Sequence, residues 1–447
     1  MLCCLSKVLE KVINIQIKNY MESKRLIGES QHAYRRLKSC NTAWADIDTT
    51  VRHALDNGKV VGMLLVDMSA AFNLVSRDII IPKLRRIGMG HFAAKLLRSY
   101  LTGRRSVTKI SSVWSRIIAV DTGIGEGSVL GPLVFILTII CVTVVLARVK
   151  IALQAHSLTC KVNDGIYDTD VSVSSVEFAD DCTGMCVADN DEQVAITLKA
   201  MAVEYKKYFE AHGLKINTAK SEHIIIGANR TQQVIIDGRP EAKKVKLLGV
   251  TFNNDYKFDD HVTNVTDKIS KRLGQIRKIT NVASPETSKE VASSICVSVA
   301  AYASEIYANE MALINRVQVK LNNVMRILTR AEPRTTISSM LTRLDWMTFS
   351  DIVKYNRIML LYKLVIYPTS PFCKMFIWRG IAELNERYQL RERELRIAWK
   401  VKKVRQGDKS FLVQATKLYN HCKLFGKIKS KDDLKEYVKR TIHSWHK

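Results

Sequence analysis

The sequence predicts an α+β fold in which a sheet-forming region is followed by a mainly helical C-terminal region. Three observations support this prediction. The run Val60–Val66 is continuously apolar over about the length of one strand, as in a strand buried on both faces. Residues 171–187 alternate with a period of two around Asp180 and Asp181, which is typical of a β-hairpin. From about His261 onward the pattern is mainly helical.

Composition indicates a globular protein with a nucleic-acid partner. The chain has 447 residues, of which 47% are hydrophobic and 25% are charged, so it can bury a large core and is expected to form two or three subdomains. It holds 69 Lys and Arg against 43 Asp and Glu, a formal net charge of +26. A surplus of this size favours a polyanion, nucleic acid before a membrane.

Cysteine usage and the N-terminus indicate a reducing compartment. The ten cysteines form no paired CxxC units and no zinc-binding spacing with histidine, so we expect reduced thiols. No targeting signal is evident, and we expect the protein in the nucleus and cytoplasm. The apolar stretch 129–149, whose only charge is Arg148, includes Gly131 and Pro132 and suits a buried core helix better than a membrane span.

The elements before the first acidic strand end follow from periodicity and turn residues. They are a helix up to Ser23, a basic loop over 31–38, a helix over 42–55, a turn at 56–58 and the strand Val60–Val66, which ends on Asp67.

The elements after Asp67 are predicted in the same way. They are a helix up to Gly88, a helix over 91–101, strand-like residues over 107–120, a glycine-rich loop over 123–132, an apolar helix, the hairpin over 171–187, a helix over 189–211 stopped by Gly213, a strand over 223–226, a strand over 246–252, a polar turn over 253–255, and helices with breaks near Pro285, Pro333, Pro368 and Pro371.

The adjacent carboxylates Asp180 and Asp181 repel each other and lose hydration in apolar surroundings, so the pair is unfavourable unless cations neutralise it. A solvated Asp-Asp turn is the simpler interpretation. Asp67 ends a buried strand and needs a metal ion or a basic partner for the same reason.

Several motifs occur in a characteristic order along the chain. They are Leu5-Ser-Lys-Val-Leu-Glu-Lys11, Gln31-His-Ala-Tyr-Arg35, Leu64-Leu-Val-Asp-Met-Ser-Ala-Ala-Phe72, Gly127-Ser-Val-Leu-Gly-Pro-Leu133, the Asp180-Asp181 hairpin, the turn with Lys220, and Leu248-Gly249-Val250. This order resembles the reverse transcriptases of non-LTR retrotransposons, closest to the jockey-like group, over residues 5–351.

The resemblance implies a right-hand polymerase fold of fingers, palm and thumb, with an antiparallel palm sheet and a helical C-terminal region. The expected ranges are partial fingers over 1–60, a palm with fingers insertions over 61–255, a helical thumb and connection over 256–365, and a basic helical segment over 366–447. The implied activity is RNA-directed DNA polymerisation. The implied partners are an RNA template, a DNA primer and dNTPs, with no membrane.

The resemblance assigns the metal ligands to Asp67 and Asp180, with Asp181 as the adjacent supporting carboxylate. Two Mg²⁺ ions, or Mn²⁺ as the alternative, suit carboxylate oxygens and would serve nucleotidyl transfer onto a primer 3′-hydroxyl. Lys220 resembles the lysine near the leaving pyrophosphate, where it can donate a proton or neutralise charge.

The resemblance also assigns nucleotide-binding and primer-binding residues. Phe72 resembles the residue that lies under the incoming sugar and excludes a 2′-hydroxyl, although an ordinary core aromatic is the alternative. Arg35 is the expected triphosphate clamp, with Arg36 as the near alternative and a solvated basic loop as the competing interpretation.

Glu126 and Gly127 belong to the nucleotide loop, while Leu248, Gly249 and Val250 resemble a primer grip or, equally, a core strand.

Four departures from the family pattern support an alternative function. Asn73 stands where an Asp follows the aromatic residue, and Gly125-Glu126 replaces Pro-Gln, which adds negative charge beside a triphosphate. The helix after Pro132 lacks the usual Tyr and Asn-Asp ending, and Met1 lies inside the first motif, as in an N-terminally truncated copy. The alternative is a catalytically impaired or inactive RNA- or DNA-binding remnant of the same fold.

Overall fold

The computed structural model describes residues 4–69, 71–125, 127–140, 142–162, 170–227, 233–366, 377–379, 396–398, 409–421, 434, 436–438 and 441. The chain divides into two compact units, and each is described by itself. Unit 1 comprises Met1–Ser39 and Val60–Ala242, and unit 2 comprises Cys40–Lys59 and Lys243–Lys447.

The strands, numbered in chain order, are β1 Val60–Val66, β2 Arg105–Ser106, β3 Lys109–Ile110, β4 Val113–Trp114, β5 Ile118–Ala119, β6 Cys160–Val162, β7 Val171–Phe178, β8 Asp181–Ala188, β9 Glu222–Ile226, β10 Ile235–Ile236, β11 Arg239–Pro240, β12 Lys244–Leu247, β13 Val250–Asn253, β14 Ile377–Arg379 and β15 Arg396–Ala398.

The α-helices are α1 Cys4–Ser23, α2 Cys40–Asp56, α3 Ala71–Leu74, α4 Arg77–Arg86, α5 His91–Leu101, α6 Gly131–Ile139, α7 Thr143–Gln154, α8 Asp191–Glu210, α9 Asp259–Val282, α10 Pro285–Ala292, α11 Ser298–Ala301, α12 Ser304–Tyr307, α13 Met311–Thr329, α14 Ile337–Leu344, α15 Phe349–Ile366 and α16 Phe411–His421. A π-helical turn, Ser293–Val297, lies between α10 and α11.

Unit 1 is built on a five-stranded sheet in the order β6-β7-β8-β1-β9. Strand β1 pairs with β8 and with β9, and β7 pairs with β8, all in antiparallel fashion. The buried strand Val60–Val66 and the hairpin are therefore confirmed. The predicted antiparallel palm sheet is confirmed for these four strands, and the sheet as a whole is mixed, because β6 pairs with β7 in parallel at one edge. The three residues of β6 follow α7, and such a helical connection can return a strand in the parallel direction.

Helix α8 covers one face of the sheet and explains a glycine in the central strand. A side chain at Gly62 would meet Val194 at 2.5 Å and Leu198 at 3.0 Å, so α8 packs directly against the β1 backbone. The Asn190 side chain caps this helix by accepting a hydrogen bond from the Gln193 N–H at 2.9 Å. The chain leaves α8 through Gly213, whose φ of 72° is the left-handed conformation that glycine adopts readily.

The predicted apolar helix is present as two helices, α6 and α7. The helical stretch Gly131–Gln154 is long and apolar enough to cross a membrane by length and composition, and 65% of its most apolar window is buried. Residues of both helices, including Phe135, Val145 and Leu153, belong to the hydrophobic core of unit 1. The stretch thus acts as core in this structure.

Two predicted elements of unit 1 differ from expectation. The predicted helix after Asp67 is two helices, α3 and α4, separated by Val75 and Ser76. The strand-like residues 107–120 form a two-stranded ribbon in which β2 pairs with β5 and β3 pairs with β4. The apolar residues of this stretch are exposed, and the sequence pattern alone does not reveal whether another layer covers a strand.

Unit 2 places α2 beside α12, α15 and α16. The buried pair Asp48 and Arg52 forms an ion pair at 2.8 Å one helical turn apart, and the Phe411 N–H donates to the second oxygen of Asp48 at 2.8 Å. Because a buried charge is unfavourable without partners, this carboxylate fixes the start of α16 on α2.

The predicted strand over 246–252 is instead a hairpin, β12–β13. Leu248 and Gly249 form its two-residue turn with φ values of 42° and 83°, the pattern of a type I′ turn. Leucine is uncommon in this conformation, so the sequence pattern did not indicate the turn.

The helical C-terminal region is confirmed for residues 259–366. Pro285 opens α10 at the first helical position and Pro333 lies between α13 and α14, whereas Pro368 and Pro371 lie outside the described residues. In the range predicted to be a basic helical segment, the structure has α16 and also the antiparallel pair β14–β15, which was not predicted. The four predicted domain ranges stay predictions.

Candidate active site

Asp67 and the acidic pair lie at the same end of the central sheet. The β1–β8 register runs to the pair Val66 and Cys182, so Asp67 and Asp181 are the next residues on two neighbouring strands. The β7–β8 hairpin closes at the pair Phe178 and Asp181, with Ala179 and Asp180 as its turn. The structure therefore brings together the three carboxylates that the sequence placed in separate motifs.

The charges of these carboxylates act on one another. Asp67 and Asp180 are half-buried, and Asp181 is exposed. Partial burial of its carboxyl group raises the pKa of Asp181, and the negative charges of Asp180 and Asp67 raise it further. Neighbouring negative charges disfavour ionisation, so a cation beside these carboxylates would be favourable.

The motif Gln31-His-Ala-Tyr-Arg35 lies against the same hairpin. The His32 N–H donates to the Glu177 carbonyl at 2.8 Å, and the Glu177 N–H donates to the Ser30 carbonyl at 2.9 Å. Tyr34 is exposed beside the acidic turn, where burial raises the pKa of its hydroxyl and the charge of Asp180 raises it further. Tyr34 therefore lies beside the candidate site, although the motif Gln31-His-Ala-Tyr-Arg35 alone did not assign it a role.

The turn that carries Lys220 is attached to Asp67. The Asp67 N–H donates to the Ser221 Oγ at 3.1 Å, and the Asn217 N–H donates to the Asp67 carbonyl at 2.9 Å. The side chain of Lys220 is exposed on this turn. The structure therefore brings Lys220 to the same strand end as the carboxylates.

Arg239 holds the Lys220 turn from β11. Its guanidinium donates to the carbonyl of Thr218 at 3.0 Å, to that of Ser221 at 3.3 Å, and to that of Ala219. No motif marked this arginine, and its separation of 18 residues from Ser221 gives no periodic signal. It is a positioning residue that only the fold reveals.

The glycine-rich loop lies beside the segment that follows Asp67. The Gly123 N–H donates to the Val75 carbonyl at 3.0 Å, and the Ile124 N–H donates to the Phe72 carbonyl at 2.8 Å. Arg77 binds the loop with its guanidinium, which donates to the Gly123 carbonyl at 3.0 Å and to two neighbouring carbonyls. The loop and the first catalytic motif therefore form one hydrogen-bonded structure.

The far end of this loop is fixed by Glu10 of α1. The buried Glu10 carboxylate accepts hydrogen bonds from the N–H groups of Val129 at 2.7 Å and Leu130 at 3.1 Å, where α6 begins. A carboxylate at a helix N-terminus satisfies free N–H groups and interacts favourably with the helix dipole. Gly127 is exposed with a φ of 73°, and Glu126 lies outside the described residues.

Phe72 is half-buried at the edge of the unit 1 core. Its ring stacks on that of Phe135, with centroids 4.9 Å apart and an angle of 22° between the ring planes. This contact supports the core interpretation, and the predicted role in sugar selection stays a prediction. Asn73, the departure from the family pattern, is exposed.

The expected triphosphate clamp Arg35 is engaged in an ion pair. Its guanidinium donates to both carboxylate oxygens of Glu22, at 3.0 and 2.8 Å, and to the Gly28 carbonyl at 2.7 Å, and its side chain is only 7% exposed. Burial favours a higher pKa for Glu22, but the hydrogen bonds and charge of Arg35 lower it. Arg36 is exposed, and both assignments stay predictions.

The predicted primer grip lies in unit 2 at the tip of the β12–β13 hairpin. Tyr302 donates its hydroxyl to the Leu248 carbonyl at 2.7 Å and packs its ring against Gly249, where an added side chain would meet the ring at 3.2 Å. Val250 is fully buried. The tip is therefore a fixed turn, and its role in primer binding stays a prediction.

The carboxylates fit a hard divalent cation by their chemistry. Within the described residues, no group of three or more His, Cys, Asp or Glu side chains is arranged so that it could hold a metal ion. Mg²⁺ does not need one, because it keeps several waters and binds through one or two carboxylates together with substrate phosphates. Asp67 and Asp180 have carboxylate oxygens of this kind, and their role as metal ligands stays a prediction.

Comparison with known proteins gives the same family that the motifs indicated. The family described as "Reverse transcriptase (RNA-dependent DNA polymerase)" matches residues 1–252, more than half of the chain.

Three curated relatives are similar to this chain. It is 24% identical over 342 residues to the "Probable RNA-directed DNA polymerase from transposon BS" of Drosophila melanogaster, a match that covers 74% of this chain and 35% of that protein.

It is 23% identical to the corresponding polymerase from transposon X-element of the same species, covering 61% of this chain and 28% of that protein. It is 22% identical to the "Retrovirus-related Pol polyprotein from type-1 retrotransposable element R2" of Popillia japonica, covering 50% and 29%.

The chain thus spans about a third of the length of the curated relatives it matches. The predicted resemblance to non-LTR retrotransposon polymerases and the predicted fold class are confirmed at the level of the family. With its acidic strand ends in one site and its family match over residues 1–252, the chain belongs to the reverse transcriptase family.

Proposed function

We propose that this chain is an RNA-directed DNA polymerase of a non-LTR retrotransposon, which extends a primer 3′-hydroxyl with dNTPs on an RNA template. The observation that carries the proposal is the meeting of Asp67, Asp180 and Asp181 at one end of the sheet. The family of the relatives supports the same activity.

The carboxylates would hold two Mg²⁺ ions, with Mn²⁺ as an alternative, and such ions activate the attacking hydroxyl and stabilise the leaving pyrophosphate. Asp67 and Asp180 are the expected ligands, and Asp181 supports them with its charge.

Lys220 provides a positive charge on an exposed turn, where it can neutralise or protonate the departing pyrophosphate. Ser221 and Arg239 orient that turn through their contacts with the backbone. Phe72, Gly127 and the loop around Gly123 would position the incoming nucleotide, while Leu248, Gly249 and Val250 would contact the primer.

The test is primer extension by the purified chain on a primed RNA template with dNTPs and Mg²⁺. We expect extension by the parent protein and its loss in Asp180→Asn, with primer-template binding retained in a fluorescence-anisotropy assay. A suitable control is Asp237→Asn, because Asp237 is also a turn residue between two strands of unit 1, is exposed, and has a φ of 49° that asparagine tolerates. A parent protein that binds primer-template and never extends it would favour the inactive nucleic-acid-binding remnant instead.

A further inference from the structure

The ribbon 105–119 is a part of unit 1 that none of the family motifs includes. Strand β2 pairs with β5, and β3 pairs with β4, but the two residues 107 and 108 face the three residues 115–117, so a β-bulge lies between the two pairs. Every residue from 105 to 119 is exposed. Among the described residues, no other element covers either face of the ribbon.

The exposed side chains of the ribbon are largely apolar. Ile110 is 73% exposed and Trp114 is 59% exposed, and Val107, Val113, Ile117 and Ile118 are exposed as well. An isolated two-stranded ribbon is only marginally stable in water, and its apolar side chains stay in contact with water unless a partner covers them. The ribbon therefore has the composition of a contact surface.

The charges of the ribbon indicate the chemistry of that partner. Between Arg104 and Val120 the sequence contains four cations and no Asp or Glu. Lys109 places its Nζ over the Trp114 ring, 4.9 Å from the centroid, so a cation and an aromatic face lie side by side. Aromatic faces next to Lys and Arg bind nucleic acid by stacking bases and neutralising phosphates. Two copies of this ribbon would repel each other.

The base of the ribbon is tied to the glycine-rich loop. The Val120 N–H donates to the Arg104 carbonyl at 2.9 Å, and the Val120 carbonyl accepts from Arg77 at 2.6 Å. The Arg104 guanidinium lies against Tyr100, 5.2 Å from the ring centroid, and fills the space beside Gly125. A strand of nucleic acid that reaches the loop would therefore pass close to the base of the ribbon.

We propose that the ribbon 105–119 binds single-stranded nucleic acid, with a base stacked on Trp114 and phosphates bound by Arg105, Lys109 and Arg116. The inference rests on the proposed polymerase function for its biological setting. The contact itself depends only on the exposed aromatic ring and the uncompensated positive charge. RNA template and single-stranded DNA offer the same chemistry, and the experiment separates them.

The first test measures binding of fluorescent single-stranded RNA and DNA oligonucleotides to the full chain by anisotropy, without dNTPs or Mg²⁺. We expect Trp114→Ala to weaken binding by about fivefold or more, because one stacked base contributes at least that much. Trp114→Phe keeps an aromatic face and is expected to restore most of the affinity. Phe92→Ala is the control, since Phe92 is 87% exposed on α5 and lies outside the ribbon.

The second test measures the salt dependence of binding. The triple variant Arg105→Gln, Lys109→Gln, Arg116→Gln is expected to lower the slope of log affinity against log salt by about 2, since each lost phosphate contact contributes about 0.7 for a single strand. The charge-matched control replaces the exposed Lys150, Lys199 and Lys206 on α7 and α8 with Gln. Equal slopes in the two triple variants would attribute the effect to net charge and overturn the proposal.

A further arm offers vesicles of phosphatidylserine and phosphatidylcholine. If ribbon variants lose vesicle binding and bind oligonucleotides like the parent, the partner is a lipid surface and the proposal is wrong. Failure of the polymerase function is distinguishable, because a parent that binds oligonucleotides through Trp114 and never extends a primer leaves the ribbon assignment intact. The relative affinities for RNA and DNA identify which strand the ribbon prefers.

Discussion

Asp67 and Ser221 are joined by a hydrogen bond in which the Asp67 N–H donates to the Ser221 Oγ at 3.1 Å. The Ser221 hydroxyl donates in turn to the Asn217 carbonyl at 2.9 Å, and the Asn217 N–H donates to the Asp67 carbonyl at 2.9 Å. Together, these three hydrogen bonds hold both the N–H and the carbonyl of Asp67. The position of Asp67 is therefore coupled to the turn that carries Lys220.

Replacement of Ser221 by Ala should disturb the active site more than the fold. The Asp67 N–H would lose its acceptor, which costs about 1 kcal/mol when the group stays partly buried. We expect a small fall in Tm and a clear fall in the single-turnover extension rate. Ser294→Ala is the control, because the exposed Ser294 hydroxyl also donates to a main-chain carbonyl, at 2.9 Å. Extension equal to that of the control variant would show that Asp67 does not depend on this bond.

Arg239→Ala should slow extension without lowering primer-template affinity to the same degree. Its guanidinium holds the carbonyls of Thr218, Ala219 and Ser221, and their release frees the Lys220 turn. Because exposed hydrogen bonds contribute little to folding, we expect Tm to change by no more than about 2 °C.

Arg239→Lys should restore part of the rate. The control is Arg316→Ala, because Arg316 is an exposed arginine of unit 2 whose guanidinium donates hydrogen bonds to two side chains instead of to main-chain carbonyls. A large loss of Tm in Arg239→Ala would assign it a role in folding instead.

Local pattern was sufficient for the parts of the site that are continuous in sequence. The apolar run Val60–Val66 fixes a buried strand, and the chain direction then places Asp67 at its end. The alternation around Asp180 and Asp181 likewise predicts the hairpin. In both cases the signal and the structure lie within one continuous segment of the chain, Val60–Val66 in the first case and Val171–Ala188 in the second.

The remaining features depend on contacts between distant segments. No sequence signal near Arg35 indicates that its guanidinium forms an ion pair with Glu22 on α1. No sequence signal near Arg239 indicates that it donates hydrogen bonds to the turn with Lys220. The turn at Leu248 could not be predicted from the sequence, because leucine rarely adopts a φ of 42°. The sequence also did not indicate that the ribbon 105–119 is exposed, because an apolar run has the same pattern whether or not another layer covers it.

The predicted role of Phe72 in sugar selection can be separated from its packing role by two substitutions in one ring pair. Phe72→Val and Phe135→Leu each break the stack at 4.9 Å, which contributes about 0.5–1.5 kcal/mol beyond area burial. We expect both variants to lose stability, and only Phe72→Val to incorporate ribonucleotides. The measurement is the ratio of dNTP to rNTP incorporation efficiency. If the two variants discriminate equally between dNTPs and rNTPs, Phe72 has only a packing role.

Glu305 of unit 2 should make stability depend on pH. Burial raises the pKa of its carboxyl from 4.5 to about 7, although a hydrogen bond to its own backbone, the Arg357 charge and Asn41 lower it. Because the folded-state pKa is the higher one, its contribution is fully present below pH 4.5 and is lost as pH rises through 7. Glu305→Gln should therefore gain stability relative to the parent by about 1.4 kcal/mol per pH unit within that interval.

The measurement for Glu305 is denaturant unfolding between pH 4 and pH 8.5. Glu286→Gln, at an exposed position on α10, is the control and should show the pH profile of the parent. A constant difference between Glu305→Gln and the parent at all pH values would mean that the carboxyl has the same pKa in the folded and unfolded protein.

The two glycines Gly123 and Gly127 offer a matched test of how the nucleotide loop is held. Both have positive φ, 76° and 73°, so alanine at either position carries the same left-handed strain of about 1 kcal/mol. They differ in space, because a Cβ at Gly123 would lie 2.6 Å from the Asn73 carbonyl oxygen, whereas no heavy atom of the described residues lies within 4 Å at Gly127.

Gly127→Ala should therefore lower stability by about 1 kcal/mol and lower dNTP affinity less than Gly123→Ala does. Gly123→Ala must also push the loop away from the backbone of Asn73, and such overpacking costs about a further 1–3 kcal/mol. Since that backbone follows Phe72, we expect the apparent dNTP affinity in Gly123→Ala to fall by about tenfold. Similar stabilities and affinities in the two variants would show that close packing on Asn73 does not position the loop.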